Sequence, residues 1–470
     1  MGAFVTQANT LTLFLYFASA GLVVSYFAWK LRHRGYLLSP FMITLLIFMF
    51  AVYIAGPAQY TDAAWRALGT AGAASFLEQL NLILTFTFAG IIVMVTSLWM
   101  TEGWRDRSST TSDRRSIETH SQLRIEAVAI VACIFIGAFL LMLGYFRVLP
   151  VFDGRDSFAA EGFIGSAYKA CVAGIQFTTM ILITWGFLVR SRRYAALAIV
   201  GSACSFLTGN RAGLIAIASL VIALWIYGRG LGRVRSRTRI SLVLLLGLAA
   251  AGLFLSSLRG ELGFNLASAL EDALYGNTFS DIRDGAFVLW GWQTRFDKEP
   301  LGGMTYLAAS LSFLPSSVSD FRQEWSWGFF STSTLFGWSD HFGLRGGWFL
   351  ESYINFGLTG VVAVALIVGL ILGHVERGFR AGVVLSASPF YWQRYTKSQL
   401  WMAVLATATV SNGATGLLSS LIAYIAITAV SLFSRRQRRG EHTHQYDSGF
   451  AEGDAIDSSL RHPHGTGERA

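Results

Sequence analysis

Apolar stretches of about 17 to 25 residues recur along this chain, and they dictate what it can fold into, because that length crosses a hydrocarbon core roughly 30 Å thick. Only 14% of the residues are charged and 53% are hydrophobic. A soluble chain carries nearer a quarter charged residues, so a soluble helical protein is excluded. Spans fall at 11–29, 37–57, 80–100, 125–146, 168–189, 195–208, 213–227, 240–257, 348–373, 399–411 and 416–433. The expected class is an all-α polytopic membrane protein with about eleven transmembrane helices.

The charges then set a topology. Basic clusters stand at KLRHR (30–34), across 105–124, at RSRR (190–193), across 229–239, across 374–398 and at RRQRR (435–439). These fall on alternate sides of the spans and hold most of the 37 lysines and arginines. Cytoplasmic loops carry the positive excess, so the N-terminus is expected outside and the C-terminus in the cytoplasm. The chain divides into residues 1–257 with eight spans, one large outer loop at 258–347, three spans within 348–434 and a tail at 435–470. The tail is polar, lacks a hydrophobic period and is expected to be disordered.

Other classes are excluded by distribution rather than by amount. The net charge of +9 lies in short inter-span clusters, with no basic domain of interleaved aromatics, so no nucleic-acid partner is expected. Cys133, Cys171 and Cys204 sit inside apolar spans. They supply neither a disulfide framework nor zinc spacing, and no metal or cofactor is expected. The N-terminal stretch has no basic region of the kind that opens a cleavable signal peptide.

The 258–347 loop carries Trp290, Trp292, Trp325, Trp327 and Trp338. Runs such as GAFVLWGW and MTYLAASLSFL predict helices at the membrane surface. Asp281-Ile-Arg283-Asp284 opens the first of them.

Chemistry is expected at the outer rim. Arg211 stands in TGNRAG between two short spans. A guanidinium there suits bidentate binding of phosphate oxygens, and the following helix N-terminus favours an anion. A snorkelling structural arginine is the plain alternative. Arg259 follows directly after a span, Arg283 lies in the outer loop, and Arg345 precedes the ninth span; each is a weaker diphosphate candidate. Glu351 lies about one turn inside the outer end of that span. A carboxylate there is costly unless it is paired or working, so it is either a general base or half of a structural ion pair with Arg345. His341, the one outer histidine, is a second candidate base. Arginines suggest a diphosphate, and aromatics with carboxylates suggest sugar.

At TGNRAG, GGMTYLAASLSFLPSSV and LESYINFGLTGVV, and in its layout of spans with one late outer loop, the chain resembles the Wzy-type O-antigen and exopolysaccharide polymerases. The resemblance implies a metal-independent, GT-C-like membrane glycosyltransferase in a bacterial inner membrane. Such an enzyme transfers a growing glycan from undecaprenyl diphosphate onto a new lipid-linked repeat unit. It implies Arg211 as a diphosphate contact, Glu351 as base and a polysaccharide chain-length regulator as partner. No arginine on the expected outer side shows the Arg-x10-Gly spacing of some members, Arg345 to Gly357 being one residue longer.

Three rivals remain. An O-antigen ligase shares the fold and the donor. A lipid-linked oligosaccharide flippase is expected to have internal repeats and evenly sized loops. A secondary transporter is expected to place ionisable residues near the middle of several spans.

Overall fold

The structure, a computed structural model, describes residues 2–34, 51–61, 73–103, 125–153, 162–189, 191–209, 281–311, 318–338 and 349–384, with scattered positions between them. Every regular element among them is helical. Leaving aside helical turns of five residues or fewer, these are in chain order α1 (Gly2–Gln7), α2 (Thr10–Arg34), α3 (Ala73–Gly103), α4 (Ile125–Phe146), α5 (Gly162–Val189), α6 (Arg192–Leu207), α7 (Asp281–Arg295), α8 (Met304–Ser310), α9 (Asp320–Trp325) and α10 (Leu350–Val384). By length and composition four stretches are able to cross a membrane: Thr10–His33, Phe76–Gly103, Ile125–Phe146 and Leu350–His374. The chain is therefore a helical membrane protein. Of the expected spans, 240–257, 399–411, most of 37–57, about half of 213–227 and nearly all of 416–433 lie outside the described residues. So do the 435–470 tail and the first part of the 258–347 loop.

One group of helices contains α2, α3, α7 and α10 and shares a single apolar core, in which Leu80, Phe86, Phe88, Ile91, Phe349 and Ile354 are buried. Two ladders of contacts fix its direction. Asn9 caps α2, its side chain accepting from the Thr12 amide at 2.7 Å, while its own amide donates to Asn81 of α3 at 2.9 Å. Thr12 and Thr85 share a hydroxyl hydrogen bond at 2.7 Å. At the far ends of the same helices Lys30 meets Glu102. So α2 and α3 run parallel. α10 runs parallel to them as well, since Tyr353 stacks on Phe86 near its start and Glu376 reaches Lys30 near its end. All three helices therefore point the same way.

Small residues let α3 and α10 approach closely. A side chain at Gly369 would collide with Ser97 and the Met94 carbonyl, and one at Gly373 with Thr101. The pair sits four residues apart on one face, the spacing by which membrane helices pack without a hydrophobic drive between them. Opposite the start of α10, Gly90 seats the ring of Phe349.

A second group holds α4, α5 and α6 around Ile136, Phe139, Tyr168, Ile175 and Cys204. Gly174 of α5 faces Phe135 of α4, Gly186 faces Ala195 and Gly201 faces Thr179 of α5. These pairings make α5 antiparallel to α6, as consecutive spans joined by a short turn must be.

The helices expected within 258–347 are present as α7 and α8. α7 lies against the first half of α3: Phe76 meets Phe287, and Gln79 donates to Gln293 at 2.9 Å. Near the start of α7, Gly285 abuts Ile83 and Leu350. This puts the segment over the end of the bundle where α10 begins. The tryptophans differ in burial. Trp292 and Trp327 are buried and donate to the carbonyls of Glu299 and Leu344, Trp325 is half-buried, and Trp290 and Trp338 are exposed.

At the opposite end, Lys30 is fully buried. Its Nζ lies 2.6 Å from Glu376 Oε2 and 3.3 Å from Glu102 Oε1. It also donates to Tyr26, whose hydroxyl donates to Glu102 Oε2 at 2.6 Å. Lys30, the first residue of the basic cluster KLRHR, is thus the buried hub joining α2, α3 and α10.

Candidate active site

Glu351 is the second residue of α10 and only 2% exposed. Burying a carboxylate at the rim of a membrane span demands compensation. Part of it comes from α8, where Thr305 donates its hydroxyl to Glu351 Oε1 at 2.7 Å. Asn355, one turn further along α10 on the same face, donates Nδ2 to Thr305 Oγ1 at 2.7 Å and to the Glu351 carbonyl at 2.7 Å. Beside them, Tyr306 stacks on Phe356 and hydrogen-bonds with Ser352. Burial, reinforced by the Glu351 carboxylate, pushes the Tyr306 phenol well above its ordinary range. Tyr306 is thus a neutral hydroxyl at any physiological pH.

The backbone explains why α8 and α10 meet here. α10 breaks at Gly357, where φ is 65° and ψ −154°. That conformation is essentially confined to glycine. Just before the break, the carbonyls of Ile354 and Asn355 accept from the amides of Leu301 and Gly302, at 3.1 and 3.0 Å. Buried backbone acceptors require partners, so the Gly357 break and the start of α8 are a matched pair. Irregular backbone within a span is tolerated where protein or a cavity satisfies it, and such places commonly hold sites.

Of the residues expected from sequence, Glu351 and Arg283 can be placed. Arg211, Arg259, His341 and Arg345 lie outside the described residues. Arg283 directs Nε and Nη2 to Asp284 Oδ1, at 3.2 and 3.1 Å. It enters any diphosphate site through that ion pair rather than as an uncommitted cation. The anticipated Glu351–Arg345 pair likewise lies outside the described residues, and the partner of Glu351 seen here is Thr305. Sequence reasoning did not single out Thr305, Asn355 or Tyr306. Asn355 was within reach, four residues after a flagged carboxylate. Thr305 was not, because its contact spans 46 residues of sequence. Among the described residues no group of three histidine, cysteine or carboxylate side chains is placed to hold a metal.

Comparison of the chain with protein-family models, with curated proteins and with solved structures finds no match in any of the three.

Proposed function

We propose that this protein polymerises lipid-linked oligosaccharide repeat units at the outer face of the membrane, with Glu351 as the general base. The observation that supports the reading is the buried Glu351 carboxylate, which accepts from the Thr305 hydroxyl that the Asn355 amide in turn holds, beside a broken span and beneath an aromatic-rich segment. In the reaction an acceptor hydroxyl oxygen bonds to the anomeric carbon of the growing chain. The bond from that carbon to the diphosphate oxygen breaks, the hydroxyl proton passes to Glu351, and undecaprenyl diphosphate leaves. Arginines stabilise the charge developing on the leaving group. Arg211, Arg259, Arg283 and Arg345 are the residues assigned to that work, from their type and expected position. No metal is required in this scheme. The reading entails a local opening that admits the acceptor to Glu351.

Reconstitution tests it. The purified chain in liposomes, given undecaprenyl-diphosphate-linked repeat units, is expected to produce a ladder of multimers and one undecaprenyl diphosphate per linkage. Ladder formation is expected to persist after treatment with a chelator. Movement of intact units across the bilayer without any ladder would mean transport instead. Transfer only to a lipid A core acceptor would mean ligation.

A further inference from the structure

We infer that Thr305 is a positioning residue for Glu351, oriented by Asn355, an inference that rests on the reading of Glu351 as the base. The direction of the hydrogen bonds follows from chemistry. The Glu351 carbonyl can only accept, so the Asn355 atom 2.7 Å from it is the amide nitrogen. Turning the amide over would set carbonyl against carbonyl. The same nitrogen reaches Thr305 Oγ1 and occupies a lone pair there. A threonine hydroxyl has one proton to give, and the remaining short contact is Glu351 Oε1 at 2.7 Å. Donation therefore runs one way, from Asn355 to Thr305 to the carboxylate.

The arrangement is built rather than incidental. Thr305 and Asn355 are both fully buried, where polar side chains are costly unless they are paired. Asn355 Oδ1 finds no donor among the described residues, so it is the Nδ2 side of the amide that ties Asn355 to Thr305 and to the Glu351 carbonyl. The amides of Leu301 and Gly302, bound to the carbonyls of Ile354 and Asn355, fix the entry of α8 on α10 and so fix Thr305 over Glu351. One carboxylate oxygen is thereby pinned and the plane of the group is set. A base held in this way meets the acceptor hydroxyl in a defined geometry, which is where positioning contributes to rate.

The test uses the full chain in liposomes with undecaprenyl-diphosphate-linked repeat units, reading kcat and KM for the first transfer. Thr305→Val keeps the shape and removes the hydroxyl. Its kcat is expected to fall about 10- to 100-fold, as for loss of a hydrogen bond to a charged group, with KM unchanged. Thr305→Ser is expected to restore most of the rate. Elution as a single species with unchanged tryptophan emission checks that each variant is folded. Glu351→Gln is expected to show no turnover. If Glu351→Gln is inactive while Thr305→Val keeps the unmodified kcat, or changes KM alone, the inference is overturned and the base remains. If Glu351→Gln turns over normally, the base reading falls and the inference falls with it.

Discussion

Replacing Lys30 with methionine removes the hub of three helices and leaves two carboxylates buried beside one another. At an effective dielectric of about 20 the attractions across 2.6 and 3.3 Å amount to roughly 6 and 5 kcal/mol. Removing three ions from water costs several kcal/mol each, so the intact cluster contributes little net stability. Breaking it differs from never having it. Without Lys30, the charges of Glu102 and Glu376 remain in the core with Tyr26 and lose the ammonium that both face. Removing one partner of a buried ion cluster costs about 3–5 kcal/mol. That is about a 100- to 4,000-fold shift in the unfolding equilibrium. The assay is reversible unfolding in mixed micelles of increasing SDS fraction, followed by tryptophan fluorescence. The triple variant Lys30→Met, Glu102→Gln, Glu376→Gln removes all three charges and is expected to recover more than half of the loss. A Lys30→Met protein within about 0.5 kcal/mol of the unmodified chain would refute the reasoning, since that is the range of a neutral surface substitution. So would a triple variant no more stable than the single one.

Two further outcomes are expected. Gly357→Ala is expected to cost about 1–3 kcal/mol, because a side chain is strained at that backbone conformation. Hydrogen exchange at the amides of Leu301 and Gly302 is expected to quicken with it, and unchanged exchange there would separate the break from α8. Arg211→Ala is expected to abolish polymer while the protein still inserts in the membrane at normal abundance, as judged by immunoblot of washed membranes; normal polymer would remove Arg211 from the mechanism.

The helical membrane class was legible because hydrocarbon imposes a length and a polarity on each span, and α2, α3, α4 and α10 all begin or end within a few residues of spans read from sequence. The helices of the 258–347 segment were legible for a similar reason: the polar DIRD opening followed by an apolar run marks α7. Glu351 stood out because a carboxylate at a span end is expensive. What surrounds it did not stand out. Thr305 and Glu351 meet through packing of distant segments, and no local pattern encodes that. Gly357 was read only within a resembling stretch and in its spacing from Arg345, yet α10 breaks there, next to the carbonyls that the Leu301 and Gly302 amides reach. Lys30, Glu102 and Glu376 each stand near a span end, and only the parallel course of α2, α3 and α10 brings them together.

Polymerisation itself is tested most directly in the cell that makes this protein, by resolving its lipid-linked and surface glycans by size after deletion of the gene. The account predicts that single repeat units accumulate on the outer face and polymer disappears, with recovery by the unmodified chain and none by Glu351→Gln. Long lipid-linked polymer in the deletion strain, or single units confined to the cytoplasmic face, would contradict it.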